Sequence, residues 1–169
     1  MMRFSHLSPS AIIWMSPVSF GAVARPESLG ERAEKDRRWP AMLRKLKGLR
    51  KLGRRSIRIV DADCGAGDLL IHAAQRAREL GFVAVEGRGV DADPQLVNAA
   101  KKTAARQPDA AIGLVFELGD QREAMREEAQ FPADLLLCSS SESEARDFAR
   151  IARAAGDTVL CARTGGRNP

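Results

Sequence analysis

Residues 57–68 read IRIVDADCGAGD and decide the fold of this 169-residue chain. An apolar run passes through two aspartates, Asp61 and Asp63, and then through two glycines, Gly65 and Gly67, with one alanine between them. This pattern is typical of a strand that reaches the carboxyl edge of a parallel sheet and turns directly into a helix. Because glycine has no side chain, it leaves bare backbone amides at that edge, where a ligand can approach closely.

From residue 56 onward, short apolar runs alternate with longer segments of helical periodicity, as repeating βα units require. We therefore predict an α/β fold with a doubly wound, mostly parallel sheet of about five strands. A bend in the second strand is expected at Gly87 or Gly89. The predicted strands are 57–61, 83–91, 112–118, 133–139 and 158–162, and the predicted helices are 68–80, one that begins at Asp93-Pro94, 121–129 and 143–156.

The composition is that of a globular chain, with 44% hydrophobic, 29% charged and 5% aromatic residues. No apolar run approaches the roughly 20 residues of a membrane-spanning helix, and we expect one cytoplasmic domain. The three cysteines, Cys64, Cys138 and Cys161, are widely spaced and lack a Cys-x-x-Cys motif. This spacing argues against a disulfide framework and against a metal site.

The charge is unevenly distributed along the chain. Residues 1–55 carry 13 Lys and Arg against 4 Asp and Glu, whereas residues 56–169 carry 14 against 18. The basicity therefore belongs to an N-terminal extension. We divide that extension into a flexible tail, 1–24, and a basic helical segment, 25–55, ahead of a ligand-binding domain at 56–169.

The extension contains two distinct patterns. The tail ends in Ala22-Val23-Ala24, which is similar to a signal-peptide cleavage site, but Pro17 interrupts the apolar stretch of the tail. A flexible tail, or a start codon placed too early, is the alternative. In residues 39–52, apolar side chains recur every three or four positions between Arg and Lys. This spacing predicts a cationic amphipathic helix whose apolar side packs on the core near the ligand-binding edge.

Three features fall at the ends of consecutive predicted strands. The glycine turn after Asp61 offers amides and a helix N-terminus to an anionic group. Asp91 ends the second strand, where a carboxylate can accept both hydroxyls of a ribose, and Gly119-Asp120-Gln121 follows the third. Because parallel strands end at one edge of a sheet, these features together describe a site for a nucleoside with an anionic group at one end.

Two common nucleotide motifs fail here. The dinucleotide fingerprint Gly-x-Gly-x-x-Gly lacks its third glycine, where this chain has Leu70, and no Gly-Lys-Ser/Thr follows as a phosphate loop requires. Four segments instead resemble, in order, the motifs of the class I S-adenosylmethionine-dependent methyltransferases. They are VDADCGAGD, GRGVDADPQLVNAAKK, ELGD and FPADLLLCSSS, within a region, residues 57–163, that makes up about two thirds of the chain.

The resemblance implies S-adenosylmethionine as the cofactor and assigns a role to most of the matching positions. Asp93 could also be only a helix cap, and Gly119-Asp120 only a turn. Carried over by position, Asp61, Gly65 and Gly67 hold the methionine end, and Asp91 takes the ribose hydroxyls. Asp120 and Gln121 take the adenine. Cys138 and Ser139 face the transferring methyl group, and Cys64 and Ala92 adjoin these residues in the cofactor site.

The chain departs from the family pattern at two places. Asp63 stands where the family usually has glycine, and we expect either that its carboxylate turns outward, away from the methionine carboxylate, or that the affinity for the cofactor is reduced. After the fifth strand the family normally continues through a helix and an antiparallel hairpin, whereas only RTGGRNP remains here. We therefore expect an exposed edge strand that the N-terminal extension or the second subunit of a homodimer covers, or else a reduced version or a fragment.

The resemblance implies methyl transfer but does not name the acceptor. A small molecule is expected rather than nucleic acid, because the basic helix has no aromatic residue beyond Trp39 on which bases could stack. No residue is assigned as catalytic: the run from Ser139 to Glu142 lies nearest the methyl group by topology, but a serine run at a strand end is more often a loop and helix cap. A non-catalytic cofactor-binding module and an RNA methyltransferase that grips with the basic helix stay open as alternatives.

Overall fold

The computed structural model describes residues 26–140 and 145–163, and in these it has five strands and six helices. The predicted tail, the candidates Ser141 and Glu142, and the last six residues lie outside the described part. The strands are β1 (Ser56–Asp61), β2 (Ala84–Asp91), β3 (Ile112–Leu118), β4 (Leu135–Ser140) and β5 (Val159–Arg163). The helices are α1 (Leu29–Glu34), α2 (Trp39–Lys51), α3 (Asp68–Glu79), α4 (Pro94–Ala104), α5 (Gln121–Glu128) and α6 (Ala145–Ala155).

The five strands form one sheet in the order β3-β2-β1-β4-β5, and every pair is parallel. The strand order reverses at β1, which pairs with β2 on one side and with β4 on the other. Crevices for ligands open at the carboxyl edge beside such a reversal. The predicted doubly wound α/β fold is thus confirmed, and it places the ends of β1, β2 and β4 at one edge.

Helices cover one face of the sheet, and they also cover the other face at β1 and β4, which explains why β4 begins as a continuous apolar run. On that second face Glu86 of β2 and Val115 of β3 are exposed. Successive residues of β4 alternate between the two cores. Leu135 and Leu137 join a cluster with residues of α2, α3 and α4, whereas Leu136 and Cys138 join a second cluster with residues of α5 and α6. This alternation fixes which side chains near the end of β4 can face the N-terminal helices.

The N-terminal helices are part of the first core. Helix α2 begins at Trp39, as the periodicity predicted, and buries Trp39, Met42 and Leu46 at three- and four-residue spacing. The Trp39 ring lies 4.6 Å from the His72 ring of α3, between centroids. The apolar side of α2 therefore packs on the core as expected. Helix α1 was not predicted, although Ser28 and Glu31 form a capping box at its start.

The outward side of α2 is cationic. Arg44, Lys47 and Lys51 are exposed, and no ion pair joins them to a carboxylate within the described ranges. Within those same ranges, no helix combines the length and the apolar character that crossing a membrane would require.

The expected bend in the second strand does not interrupt its pairing, which runs without a break against both neighbours. The two glycines there have a different cause. A Cβ at Gly87 would lie 2.5 Å from Leu114 Cδ2, and one at Gly89 would lie 2.5 Å from Phe116 Cδ1. Glycine at both positions therefore makes room for the side chains of β3.

Candidate functional site

The loop between β1 and α3 is a tight turn held against β2. The Cys64 amide donates to the Val90 carbonyl at 3.0 Å, and the Gly67 amide donates to the Cys64 carbonyl at 2.9 Å. Gly65 and Gly67 have φ angles of 55° and 80°, a region that residues with a side chain rarely enter. Helix α3 begins directly after Gly67, so its N-terminus points to the carboxyl edge of the sheet.

The two glycines of this turn are needed for different reasons. A Cβ at Gly67 would lie 2.8 Å from Phe116 Cε1 and 3.0 Å from Ala100 Cβ, whereas nothing lies within 4 Å of a Cβ at Gly65. Gly67 therefore allows the turn to pack on β3 and α4. Gly65 faces open space, and of the two it is the one whose backbone a ligand can reach.

Asp91, the last residue of β2, is fixed by backbone donors. Its carboxylate accepts from the Gly65 amide at 2.7 Å through Oδ2 and from the Asp93 amide at 2.8 Å through Oδ1. The side chain is largely buried, whereas the next residue, Ala92, is exposed. Each carboxylate oxygen keeps acceptor capacity beyond one hydrogen bond, so Asp91 is a preoriented acceptor beside the glycine turn.

Asp61, the last residue of β1, is fully buried. Burial raises the pKa of Asp61 to about 7, and the charge of Arg38 opposes that rise. Its Oδ1 accepts from the Asp63 amide at 3.4 Å, whereas its Oδ2 has no hydrogen-bond partner among the described residues. A buried carboxylate oxygen without a donor is unusual and costly, and it marks this strand end as a site that a donor could complete.

Arg38 is a candidate site residue that the sequence did not reveal. It directly precedes α2, and its Nη1 donates to Asp61 Oδ1 and to the Cys138 carbonyl, both at 3.4 Å. Asp36 accepts from Nη2 at 2.8 Å and from Nε at 3.0 Å. The contacts join residues that are 23 and 100 positions apart, which no local pattern encodes.

The end of β3 lies beside Asp91, because the Gly119 amide donates to the Asp91 carbonyl at 3.0 Å. Asp120 is exposed and caps α5, since its carboxylate accepts from the amides of Arg122 and Glu123 at 2.8 and 3.0 Å. Gln121 Oε1 is buried and has no partner within the described ranges. Asp120 thus has a structural task, and Gln121 offers the free acceptor.

The end of β4 divides its side chains between the two faces. The Cys138 thiol lies in the second core, and only its carbonyl reaches toward Arg38. The Ser139 hydroxyl donates to a carboxylate oxygen of Asp63, and Asp63 is exposed as predicted. Burial raises the pKa of the Cys138 thiol, and it raises the pKa of the Cys64 thiol to about 12, so both stay protonated near neutral pH.

The structure therefore gathers the predicted residues at one edge. Asp61, Gly65 and Asp91 are linked through the turn, and Gln121 follows at the end of β3. Asp61 Oδ2 and Gln121 Oε1, which have no partner among the described residues, can each accept a hydrogen bond from a donor group of a ligand. A nucleoside whose far end carries an ammonium group beside the anionic group that the turn predicted meets both conditions, so the residues present fit the cofactor that the sequence implied.

No family model matches the sequence, and no curated protein matches it. Solved structures do match. The chain aligns with monomeric WbdD at 20% identity and a TM-score of 0.56, over 79% of this chain and 32% of that one. For an S-adenosylmethionine-dependent methyltransferase from Agrobacterium tumefaciens the identity is 14% and the TM-score 0.56, over 78% and 46%. For yhhF from Escherichia coli the values are 11% and 0.54, over 79% and 71%.

These sequence identities are low, so the matches support a shared fold and nothing more. The chain spans less than half the length of WbdD and of the Agrobacterium protein. The parallel sheet, its strand order and the glycine turn agree with the family that the sequence resembled. The chain has the fold of the class I S-adenosylmethionine-dependent methyltransferases.

Proposed function

We propose that the chain is an S-adenosylmethionine-dependent methyltransferase whose cofactor lies along the carboxyl edge of β1, β2 and β3. The observation that carries this proposal is the pair of buried oxygens, Asp61 Oδ2 and Gln121 Oε1, that have no partner in the described part of the chain. A ligand that brings N–H donors to both oxygens removes the cost of leaving them unpaired. S-adenosylmethionine has an ammonium group at one end and an exocyclic amine at the other.

Each residue then has a task in binding. Asp61 accepts from the α-ammonium group, Asp91 accepts from the ribose hydroxyls and Gln121 accepts from the adenine amine. Gly65 leaves the backbone open for close approach. When bound, the cofactor supplies a methyl group on a positively charged sulfur that departs as a neutral thioether. The contribution of the protein is therefore chiefly orientation and exclusion of water.

We propose a small molecule as the acceptor, bound near the end of β4. Ser139 and Asp63 lie there, hydrogen-bonded to each other, and neither Cys138 nor Cys64 is available as a thiolate. An acceptor that must lose a proton would find the exposed carboxylate of Asp63 at this place, and general bases of this kind act over hydrogen-bond distance. Asp63 is thus the residue to test first as a base.

Isothermal titration with S-adenosylhomocysteine, the demethylated product, tests the proposal. We expect binding at one site per chain, and the absence of heat up to millimolar ligand would contradict it. A transfer assay with radiolabelled methyl groups across pools of small molecules, proteins and RNA then separates an enzyme from a non-catalytic binding module. Binding without transfer to any pool would support the module.

A second candidate is methyl transfer to RNA. The observation that favours it is the exposed cationic side of α2, where Arg44, Lys47 and Lys51 have no carboxylate partner in the described ranges. Phosphate contacts of this kind make affinity fall steeply with salt. RNA binding that weakens tenfold or more between 50 and 200 mM salt would favour this candidate, and binding without salt dependence would reject it.

We also propose that the chain forms a homodimer through an exposed sheet edge. In the described part of the chain, β3 and β5 are the two edge strands, and unpaired edges invite pairing with another chain. Sedimentation velocity across a concentration series tests this, because a monomer at all concentrations would contradict it.

A further inference from the structure

Arg38 occupies an enclosed position at the ends of β1 and β4. Only 10% of its side chain is exposed, although it belongs to the turn between α1 and α2 and not to the sheet. Asp36 takes two short hydrogen bonds from Nε and Nη2. The remaining nitrogen, Nη1, faces Asp61 and the Cys138 carbonyl.

The contacts of Nη1 are incomplete. Both are 3.4 Å long, whereas hydrogen bonds between charged groups are usually 2.7–2.9 Å. The partner, Asp61, keeps Oδ2 without a donor from residues 26–140 and 145–163. A buried ion pair offsets its desolvation only when its remaining donors and acceptors are also satisfied. This pair therefore has one weakly used donor and one unused acceptor side by side.

The charges around Arg38 restrict which ligand can join the pair. The carboxylates that influence Arg38 are those of Asp36, Asp61 and Asp63, and Arg38 is the one cation found to influence Asp61 in the described part of the chain. An α-amino acid carries its ammonium and its carboxylate on the same carbon. When the ammonium group reaches Asp61, the carboxylate must lie close by, where three aspartates would repel it and Arg38 is the nearby cation that attracts it, together with the N-terminus of α3.

We propose that Arg38 and Asp61 together bind the zwitterionic amino-acid end of the cofactor, with Arg38 donating to its α-carboxylate. This inference rests on the proposed function. Arg38 is then a specificity-determining residue, because it distinguishes ligands that have the amino-acid end from ligands that have only the nucleoside. The positive charge of Arg38 also offsets the negative charge of Asp63, which stands where the family usually has glycine.

The test compares two ligands on the full chain. S-adenosylhomocysteine has the amino-acid end, and 5′-methylthioadenosine has the same nucleoside and a thioether but lacks that end. Arg38→Met removes the charge while keeping most of the length, and Arg38→Lys retains a cation. Arg37→Met, at the exposed neighbour in the same turn, is the matched control. Circular dichroism and thermal melting show whether each variant folds.

We expect Arg38→Met to weaken binding of S-adenosylhomocysteine by about 10- to 100-fold, as loss of a charged hydrogen bond implies, with 5′-methylthioadenosine changed less than about twofold. Arg38→Lys should recover part of the loss, and Arg37→Met should match the wild type. Equal losses for both ligands would assign Arg38 a purely structural role and overturn the proposal. Unchanged or tighter binding of S-adenosylhomocysteine would also overturn it, the latter because Arg38 would then obstruct the site.

A second measurement uses the wild type alone, in case Arg38→Met does not fold. Decarboxylated S-adenosylhomocysteine keeps the amine and lacks the carboxylate, so we expect it to bind at least tenfold more weakly than the intact compound. Equal affinities would overturn the role of Arg38 while leaving the proposed function intact. If neither S-adenosylhomocysteine nor its decarboxylated form binds, the proposed function is rejected, and this inference with it.

Discussion

Replacing each glycine of the turn by alanine separates packing from ligand approach. Both Gly65 and Gly67 have positive φ angles, so alanine at either position costs about 1–2 kcal/mol in backbone strain. At Gly67 the new Cβ would also lie 2.8 Å from Phe116 Cε1, and overpacking of this kind costs a further 1–3 kcal/mol or so. We therefore expect Gly67→Ala to lower the free energy of unfolding by about 2–5 kcal/mol, and Gly65→Ala by only about 1–2 kcal/mol.

Thermal melting and titration with S-adenosylhomocysteine measure the two effects separately. For a chain of this size, each kcal/mol lowers Tm by roughly 2–4 °C, so Gly67→Ala should melt about 4–20 °C below the wild type and Gly65→Ala much closer to it. Ligand affinity should change in the opposite order. Relative to the stability that each variant loses, Gly65→Ala should lose more affinity than Gly67→Ala, because a methyl group at Gly65 enters the space that the ligand needs.

The reasoning would be refuted by either of two results. Equal melting temperatures for the two variants would mean that contact with Phe116 does not restrict Gly67. Wild-type affinity in Gly65→Ala would mean that no ligand approaches the turn where the structure leaves it open.

Three further predictions concern the other parts of the site. Asp91→Ala should weaken the binding of S-adenosylhomocysteine by about 10- to 150-fold for each charge-assisted bond lost, which is more than any other single carboxylate change. Asp93→Ala, at an exposed helix cap, should mainly affect stability. Equal affinities of the two variants in titration would contradict this. Leu46→Ala should lower the free energy of unfolding by about 2–5 kcal/mol and Leu52→Ala, at 82% exposure, by less than about 0.5 kcal/mol; similar denaturation midpoints would show that α2 is not part of the core. Burial raises the folded-state pKa of Asp61 to about 7, so its contribution to stability is present below about pH 4 and is lost as the pH rises toward 7. In pH-dependent denaturation, Asp61→Asn should therefore gain stability relative to the wild type across that range. A difference in stability that does not change with pH would contradict the assigned pKa.

The fold could be predicted because its signals are local. Buried parallel strands are continuous apolar runs, and their ends are marked by Asp61, Asp91 and the Gly119 turn, so the carboxyl edge could be located from the sequence alone. The periodicity of residues 39–52 predicted α2 and its buried side for the same reason. These features depend on neighbours along the chain, and the structure confirms them.

The features that the sequence did not predict depend on contacts between distant residues. Arg38 appeared to be one more charge in a basic segment, and only tertiary packing brings it to Asp61. Gly87 and Gly89 were assigned to a bend because the bulk of Leu114 and Phe116 on the neighbouring strand could not be foreseen. Helix α1 is too short, at six residues, for periodicity to reveal it, although its capping box was visible.

The central claim is that a nucleoside with an amino-acid end binds at the carboxyl edge of the sheet. Titration of the ¹⁵N-labelled wild type with S-adenosylhomocysteine, followed by NMR, tests it most directly because each amide reports its own position. The account predicts saturable shifts concentrated at Gly65, Gly67, Ala92 and Gln121. The absence of saturable shifts, or shifts centred on the opposite edge around Ser56 and Ala84, would contradict it.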